Sequence, residues 1–573
     1  MRQIFRYIKP YRRKLVLVGL LYLVSTMCSL LMPYLMSSIV NDGIQAHDMG
    51  MIIRIGVLML LLAAMALGCG IWTTRVNSKV STGFSRDLRN SVFQKINSLS
   101  FEEYASIGTS SLLTRATHDI FNIQEASVSF VYVIVTFPVL FIGGAVLAFT
   151  SDWLLALVLV ALAPLVLLII WLVTRRMGNL WENSDKYIDM QNKVVRERLS
   201  GLRVVRSFDK ELHEHRRIEF ATKEMAKNII KANVLAGVIN PLSLFLLNIA
   251  TIAMLYIGAV RIQSEAWLTA GDIIATVQYV ALIMNGLLVL SWTFVWLPHL
   301  KVCVRRVSEV LALKGQPAEQ VSGEVLSGEI KLENVSFSYG DSEQPVLQNI
   351  DIDIKNGEIV SIIGGTGSGK TTVMKLLMDF YAPTGGRISM GGRDYSTLSR
   401  ETVRDNIAIA LQKSMIFEGT IEENIKMGKK DASPDELERV AEIAQISDFI
   451  HSQENGYSYK LAQAGANISG GQKQRFNIAR TIIKPASVYI FDDSFSALDY
   501  LTESKLRKEL NRYLKGKTQI IVTQRAATAM RCDKVYVMDR GRIVGVGTHE
   551  ELLSSCPIYK EIYDSQLGGD LNA

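Results

Sequence analysis

Gly364-Gly365-Thr366-Gly367-Ser368-Gly369-Lys370-Thr371 is a run whose residue types and spacing suit phosphate chemistry. Its glycines let backbone N–H groups curl around an anion, and a helix opening at Lys370 adds the favourable end of its dipole. Lys370 is expected to reach β- and γ-phosphates and the Thr371 hydroxyl to bind Mg²⁺, with Thr372 completing the nucleotide-binding set. Further on, Val488-Tyr489-Ile490-Phe491-Asp492 reads as a buried strand ending in a carboxylate that orients Mg²⁺. Asp493 follows it, and Gln524 stands at the end of a second apolar run, Gln519-Ile520-Ile521-Val522-Thr523. A water attacking a γ-phosphate must be held in line, so the group that positions it is geometry-critical. Asp493 retains general-base capability. It is one methylene shorter than glutamate, and a shortfall of about 1 Å costs on the order of 100-fold in rate. Gln524 can hydrogen-bond a phosphate but carries no charge.

These residues need a strand before the loop and a helix after it. Residues 331–339, 346–354 and 358–363 are strand-like, and the loop then opens a helix over 370–380. Alternating β-rich runs and helices predict an α/β domain. Gly315, Gln316, Pro317, Ser322 and Gly323 mark a linker before it. The expected organisation is 1–312 as one domain, 313–328 as linker and 329–573 as the α/β nucleotide-binding domain.

The first domain is of a different kind. The chain has 573 residues, too many for one compact core. Hydrophobic residues make up 49% and mean hydropathy is +0.20, which points to a membrane class. The windows 15–41, 55–74, 126–151, 153–174, 232–260 and 273–300 contain no Asp, Glu, Lys or Arg and are long enough to cross a bilayer. An even number of spans returns the chain to the side it started from. Lys and Arg are sparse near 42–50, Asp152 and 261–272, and abundant in 75–125, in 175–231 and after Lys301. The N-terminus and the C-terminal half are therefore expected to be cytoplasmic, and the net charge of +7 belongs to those segments rather than to a nucleic-acid surface. Arg2, Phe5, Arg6, Tyr7, Lys9, Tyr11, Arg12 and Arg13 form a basic, aromatic N-terminal stretch expected along the cytoplasmic face, followed by a retained anchor rather than a cleaved signal. Five scattered cysteines without metal-ligand spacing read as free thiols.

The cytoplasmic segments between spans read as helix, and half of such a segment reaches about 35–40 Å below the membrane. Helix breaks are expected at Gly108-Thr109-Ser110 and at Ser200-Gly201. The stalks are far longer than needed to turn the chain around, so their tips are where a cytoplasmic engine could push.

Taken together these motifs resemble the ATP-binding cassette (ABC) transporters over nearly the whole length. Tyr339 matches the aromatic that stacks on adenine, and Gln412 the glutamine that touches Mg²⁺ and the membrane domain. Ser469, Gly470, Gly471 and Gln472 match the signature motif that contacts the γ-phosphate held by the opposite subunit, and Asp499 lies in the loop that crosses the dimer seam. Gly108, Arg115 and Asp119, and then Gly201, Arg206 and Phe208, lie in runs that resemble the coupling tips of exporter-type members. The resemblance implies a six-helix all-α transmembrane domain of the exporter type followed by an α/β P-loop domain, with ATP and Mg²⁺ as cofactors. One cassette per chain implies a half-transporter that works as a dimer in the cell membrane.

Two departures sharpen the resemblance. Family members usually place glutamate at Asp493 and histidine at Gln524, while the signature here is intact. That asymmetry resembles the degenerate-site subunit of heterodimeric bacterial multidrug exporters, whose partner supplies the competent site. Gln463-Ala464-Gly465-Ala466 stands where many exporters have an acidic residue. Uncharged spans argue against an ion relay. Asn248, Gln278, Tyr279, Asn285, Trp292, Trp296 and several methionines suit amphipathic cargo as well as helix packing and lipid contact. Two other readings stay open: a homodimeric lipid or peptide exporter with slow hydrolysis, and an ATP-gated regulator or channel.

Overall fold

A computed structural model describes residues 2–264, 268–316, 323–340 and 344–567. Pro317 and Ser322 of the expected linker lie outside the described residues, as do the side chains of Arg2 and Phe5. The chain divides into two units, Met1–Asn97 with Ile107–Lys314, and Ser98–Ser106 with Gly315–Ala573.

The first unit is helical. Among the described residues, six helices are long and apolar enough to cross a membrane: Arg6–Ile44, Met49–Asn97, Thr109–Ser151, Trp153–Ser200, Glu211–Ile262 and Ala270–Phe294. Met49–Asn97 and Trp153–Ser200 run for 49 and 48 residues, so each continues from its span into a polar stalk without a break. Leu155, Leu159, Met254, Tyr279 and Leu287 form the buried centre of the bundle, while Leu60, Leu61 and Ile71 of the second span face outward, as lipid contact requires. The expected helix breaks appear at Gly108, with φ 81°, and at Gly201.

Polar residues lock the bundle where the non-cytoplasmic turns lie. Asp152 caps the fourth span, its Oδ1 accepting from Leu154 N at 2.8 Å and Leu155 N at 3.0 Å. Its Oδ2 accepts from Arg261 Nε of the fifth span at 2.9 Å. Asp272 forms a capping box with Thr269 and accepts from Ser37 Oγ of the first span at 2.9 Å.

The described residues of the second unit form twelve strands: β1 Ile330–Phe337, β2 Leu347–Ile354, β3 Ile359–Ile363, β4 Gly385–Met390, β5 Arg393–Asp394, β6 Ile407–Ala410, β7 Gly419–Thr420, β8 Lys460–Leu461, β9 Val488–Asp492, β10 Thr518–Thr523, β11 Lys534–Asp539 and β12 Arg542–Gly547. They make a four-stranded antiparallel sheet, β2-β1-β4-β5, and a six-stranded sheet, β12-β11-β3-β10-β9-β6. In the larger sheet β11, β3, β10, β9 and β6 are parallel. β9 and β10 are buried at every position, the mark of strands covered on both faces. The phosphate loop leaves the carboxyl end of β3, Thr523 ends the adjacent strand β10 and Asp492 ends β9 one strand further on, the crevice where open α/β sheets bind ligands.

Two local expectations differ from the fold. The helix expected over 370–380 is Lys370–Leu377. Asp379 takes φ 49° and Phe380 N–H turns back to Lys375 O at 2.9 Å, which terminates the helix and frees the Phe380 ring for another contact. The last residues of the expected linker are not loose. Leu326 is buried, its N–H donates to Asn406 Oδ1 at 2.8 Å and its carbonyl accepts from Ser487 Oγ at 2.6 Å.

Candidate functional site: a phosphate-binding crevice at the ends of β3, β9 and β10

A cavity of about 270 Å³ is lined by Thr366, Gly367, Ser368, Gly369, Lys370, Thr371 and Thr372 on one side and by Gln412, Asp492, Asp493, Thr523 and Gln524 on the other. Four stretches far apart in sequence meet there because their parent strands are neighbours in one parallel sheet.

The loop's shape depends on glycine at two positions. Gly369 takes φ 103° immediately before the helix, a conformation costly for any residue with a Cβ. Gly364 packs so closely that a Cβ would stand 2.2 Å from Met538 O of β11. Lys370 Nζ donates to Gly364 O at 2.8 Å, Gly365 O at 2.7 Å and Ser368 Oγ at 3.2 Å. Burial lowers the pKa of this ammonium, while the carboxylates of Asp492 and Asp493 oppose the shift.

Asp492 is pushed up from 3.8 to about 6, chiefly by burial and then by the adjacent negative charge of Asp493, with Lys370 and Lys375 acting against it. Asp493 sits at the turn that leaves β9. Its backbone takes φ 47° and its N–H donates to Val522 O at 2.9 Å. Its Oδ2 accepts from Gln412 Nε2 at 3.5 Å, so it shares the cavity wall with the amide at the end of β6. Gln524 faces Thr366 across the cavity, its Oε1 accepting from Thr366 Oγ1 at 3.5 Å, and its carbonyl accepts from Gln566 Nε2 at 2.8 Å. Tyr339 flanks the loop's helix. Its hydroxyl is 3.2 Å from Thr372 Oγ1, and its ring meets Tyr381 edge-on with Lys375 Nζ 5.2 Å above it.

The signature residues do not line this cavity. Ser469 caps the Gly470–Ile482 helix in a reciprocal box: Gln472 N donates to Ser469 Oγ at 3.2 Å and Ser469 N to Gln472 Oε1 at 2.8 Å. Gly470 is exposed and Gly471 half-buried at that first turn, so an anion-binding helix start faces solvent. Just before it Ala464 holds φ 55°, a strained conformation for a residue with a side chain. Asp499 caps the next helix, accepting from Thr502 N at 2.9 Å. The loop before Asp499 is held by Arg525, which donates to Ser496 O at 2.8 Å and to Glu503 Oε2 at 3.1 Å.

The residues read as coupling tips separate into two kinds. Arg115 and Asp119 lie in a π-helical turn of the first unit, where Arg115 Nη1 donates to Arg306 O at 3.0 Å and to Glu309 Oε2 at 3.1 Å, and Asp119 is buried. Gly201 and Phe208 flank the short helix Leu202–Ser207, whose last turn carries Arg206, and the Phe208 ring is exposed. Sequence reasoning missed Phe101. It belongs to Ser98–Ser106, which forms part of the second unit, and its ring stacks on Phe380 there. The capping signal Ser100-Phe101-Glu102-Glu103, with Glu103 N donating to Ser100 Oγ at 3.1 Å, marks the helix that carries it.

Comparison with known proteins agrees with this layout. The family model for the ABC transporter transmembrane region matches residues 15–287, and that for the ABC transporter cassette matches residues 347–496. An uncharacterized ABC transporter ATP-binding protein of Mycobacterium tuberculosis is 34% identical over 98% of this chain and 97% of its own length. The uncharacterized ABC transporter ATP-binding protein YfiB of Bacillus subtilis is 32% identical over 99% of both chains. A bacterial Atm1-family ABC exporter solved with ATP bound shares the fold at a TM-score of 0.83, with 23% identity over 97% of this chain and 98% of that one. With membrane spans, cassette and phosphate loop in one chain, the protein belongs to the ABC transporter family and is a multi-pass, ATPase-coupled membrane transporter of exporter-type fold with a cytoplasmic nucleotide-binding domain.

Proposed function

We propose that this chain is one subunit of a heterodimeric exporter that moves amphipathic, drug-like compounds out of the cell, and that its own phosphate loop serves the weak member of two ATP sites. The observation that carries the reading is Asp493. Its backbone is pinned at φ 47° by the bond to Val522 O, so the short carboxylate cannot be advanced toward a γ-phosphate by a small backbone shift. Gln524, on the same cavity, adds an uncharged amide where a histidine would supply a titratable ring. In this reading ATP stays clamped on this chain's loop, while Ser469, Gly470, Gly471 and Gln472 complete the hydrolytic site of the partner. Asp499 and its loop lie along the seam between the two chains.

The donor set fits Mg²⁺. Thr371 offers a hydroxyl, Gln412 an amide oxygen and Asp492 a carboxylate, all hard oxygen ligands on one cavity. The ion would neutralise phosphate charge. Lys370 would exchange its bonds to Gly364 O, Gly365 O and Ser368 Oγ for phosphate oxygens, and Tyr339 would offer its ring to adenine.

The decisive experiment compares ATP turnover by the purified chain with turnover after co-expression with a candidate partner carrying glutamate and histidine at the matching positions. Slow turnover alone and fast turnover together support the reading. Fast turnover by the chain alone rules it out and favours a homodimer.

A further inference from the structure

The first unit contains a cavity of about 670 Å³ that the nucleotide chemistry does not use. Its size is that of a small-molecule site. Three spans build it. Tyr22 comes from the first, Glu125 and Tyr132 from the third, Trp292 from the sixth, and Trp296 and His299 from the continuation of the sixth span's helix, Ala270–Ala312. Tyr22 and Tyr132 meet edge to face with centroids 5.3 Å apart, and Trp296 meets His299 in the same way at 6.0 Å. His299 Nε2 is 3.2 Å from Asn122 Nδ2, which places a polar end beside the aromatic walls.

Glu125 gives the cavity its sign. It is the one carboxylate among the lining residues, and no lysine or arginine lines the cavity. The side chain is exposed and makes no ion pair among the described residues. Tryptophans near a span end often serve as anchors toward lipid headgroups. Here aromatic rings from three separate helices border one cavity together with an unpaired anion, which an anchor does not require. Aromatic faces and a carboxylate both attract positive charge, and a weakly hydrated cation gives up little solvation to enter between them.

We propose that this cavity is a cargo site for hydrophobic monovalent organic cations, with Glu125 as the charge-selecting residue and Trp292 and Trp296 as the apolar and cation–π walls. The proposal rests on the exporter reading only for its transport step; binding stands without it.

The test uses the full-length chain, purified with any subunit that accompanies it and placed in lipid nanodiscs. The probes are tetraphenylphosphonium and the uncharged triphenylphosphine oxide. Glu125→Gln is expected to weaken tetraphenylphosphonium binding about tenfold and to leave triphenylphosphine oxide within about twofold. Trp292→Ala is expected to weaken both probes about five- to tenfold. Unchanged ATP binding in each variant verifies the fold. An unaltered tetraphenylphosphonium affinity in Glu125→Gln, or an equal loss for both probes, overturns the proposal. ATP-driven uptake into inverted vesicles separates the two readings. Glu125-dependent binding without uptake of either probe supports the site and refutes export, whereas uptake of the neutral probe alone refutes the site and supports export.

Discussion

Phe101 stacks on Phe380 with ring centroids 4.2 Å apart and 26° between planes, and the Tyr381 ring lies 6.3 Å from Phe101, tilted by 47°. Both partners are available because Asp379, at φ 49°, ends the preceding helix and turns the chain outward. The stack is worth about 0.5–1.5 kcal/mol beyond its buried area. It joins Ser98–Ser106 to the turn that follows the Lys370–Leu377 helix, both within the second unit. Phe101→Ala is expected to leave nucleotide affinity within about twofold while cutting cargo-stimulated ATP turnover severalfold, with Phe101→Tyr close to wild type. Equal cargo stimulation in Phe101→Ala and wild type would contradict this.

Asp493 and Gln524 are open to gain of function. Asp493→Glu extends the carboxylate from the same pinned backbone, and Gln524→His restores a ring that can titrate. The double variant is expected to raise ATP turnover at this site by up to about 100-fold, with Asp493→Glu providing most of the gain. Single-turnover hydrolysis of bound ATP measures it directly. A double variant no faster than wild type means that turnover is limited elsewhere.

The Asp492 carboxyl fixes a pH dependence. Its pKa in the fold, about 6, lies above its ordinary 3.8. The protonated form is therefore favoured by folding: the stability it contributes is complete below pH 3.8 and is lost as pH rises through about 6. In the proposed site, holding Mg²⁺ would need the ionised form. MgATP affinity is thus expected to fall as pH drops below about 6, approaching tenfold per pH unit. Asp493→Asn removes the neighbouring negative charge and should shift the midpoint downward. Isothermal titration between pH 5 and 7.5 reads both, and an unmoved midpoint in Asp493→Asn would contradict the assigned cause.

Asp152 carries two duties at one position, a helix cap and a buried ion pair with Arg261, and its side chain is fully shielded. Asp152→Ala is expected to cost about 2–4 kcal/mol, because it removes the cap and one side of a buried ion pair. Asp152→Asn keeps the cap and should cost less. Thermal unfolding in detergent ranks the two, and a smaller loss for Asp152→Ala would reverse the argument.

The sequence discloses those parts of the molecule whose causes are local. Six uncharged windows specify spans because lipid satisfies no backbone polar group. The run from Gly364 to Thr371 specifies a loop because few other sequences can take φ near 103° directly before a helix. Contacts that depend on packing were not legible. Phe101 has no local signature that names Phe380 as its partner. Glu125 reads as a flanking charge of the third span until the helices bring Trp292 and Trp296 to the same cavity. Leu326 reads as linker because nothing near it in sequence announces that Asn406 and Ser487 will take up its backbone.

The reciprocal box between Ser469 and Gln472 has a kinetic corollary. Its two side chains already satisfy backbone donors within their own turn, so the start of the Gly470–Ile482 helix is set before any anion arrives. A phosphate meeting this turn has no local ordering to wait for. In the proposed dimer its capture would be governed by how often the two surfaces meet and how well they align, and the delay in each cycle would belong to large-scale approach rather than to formation of the turn.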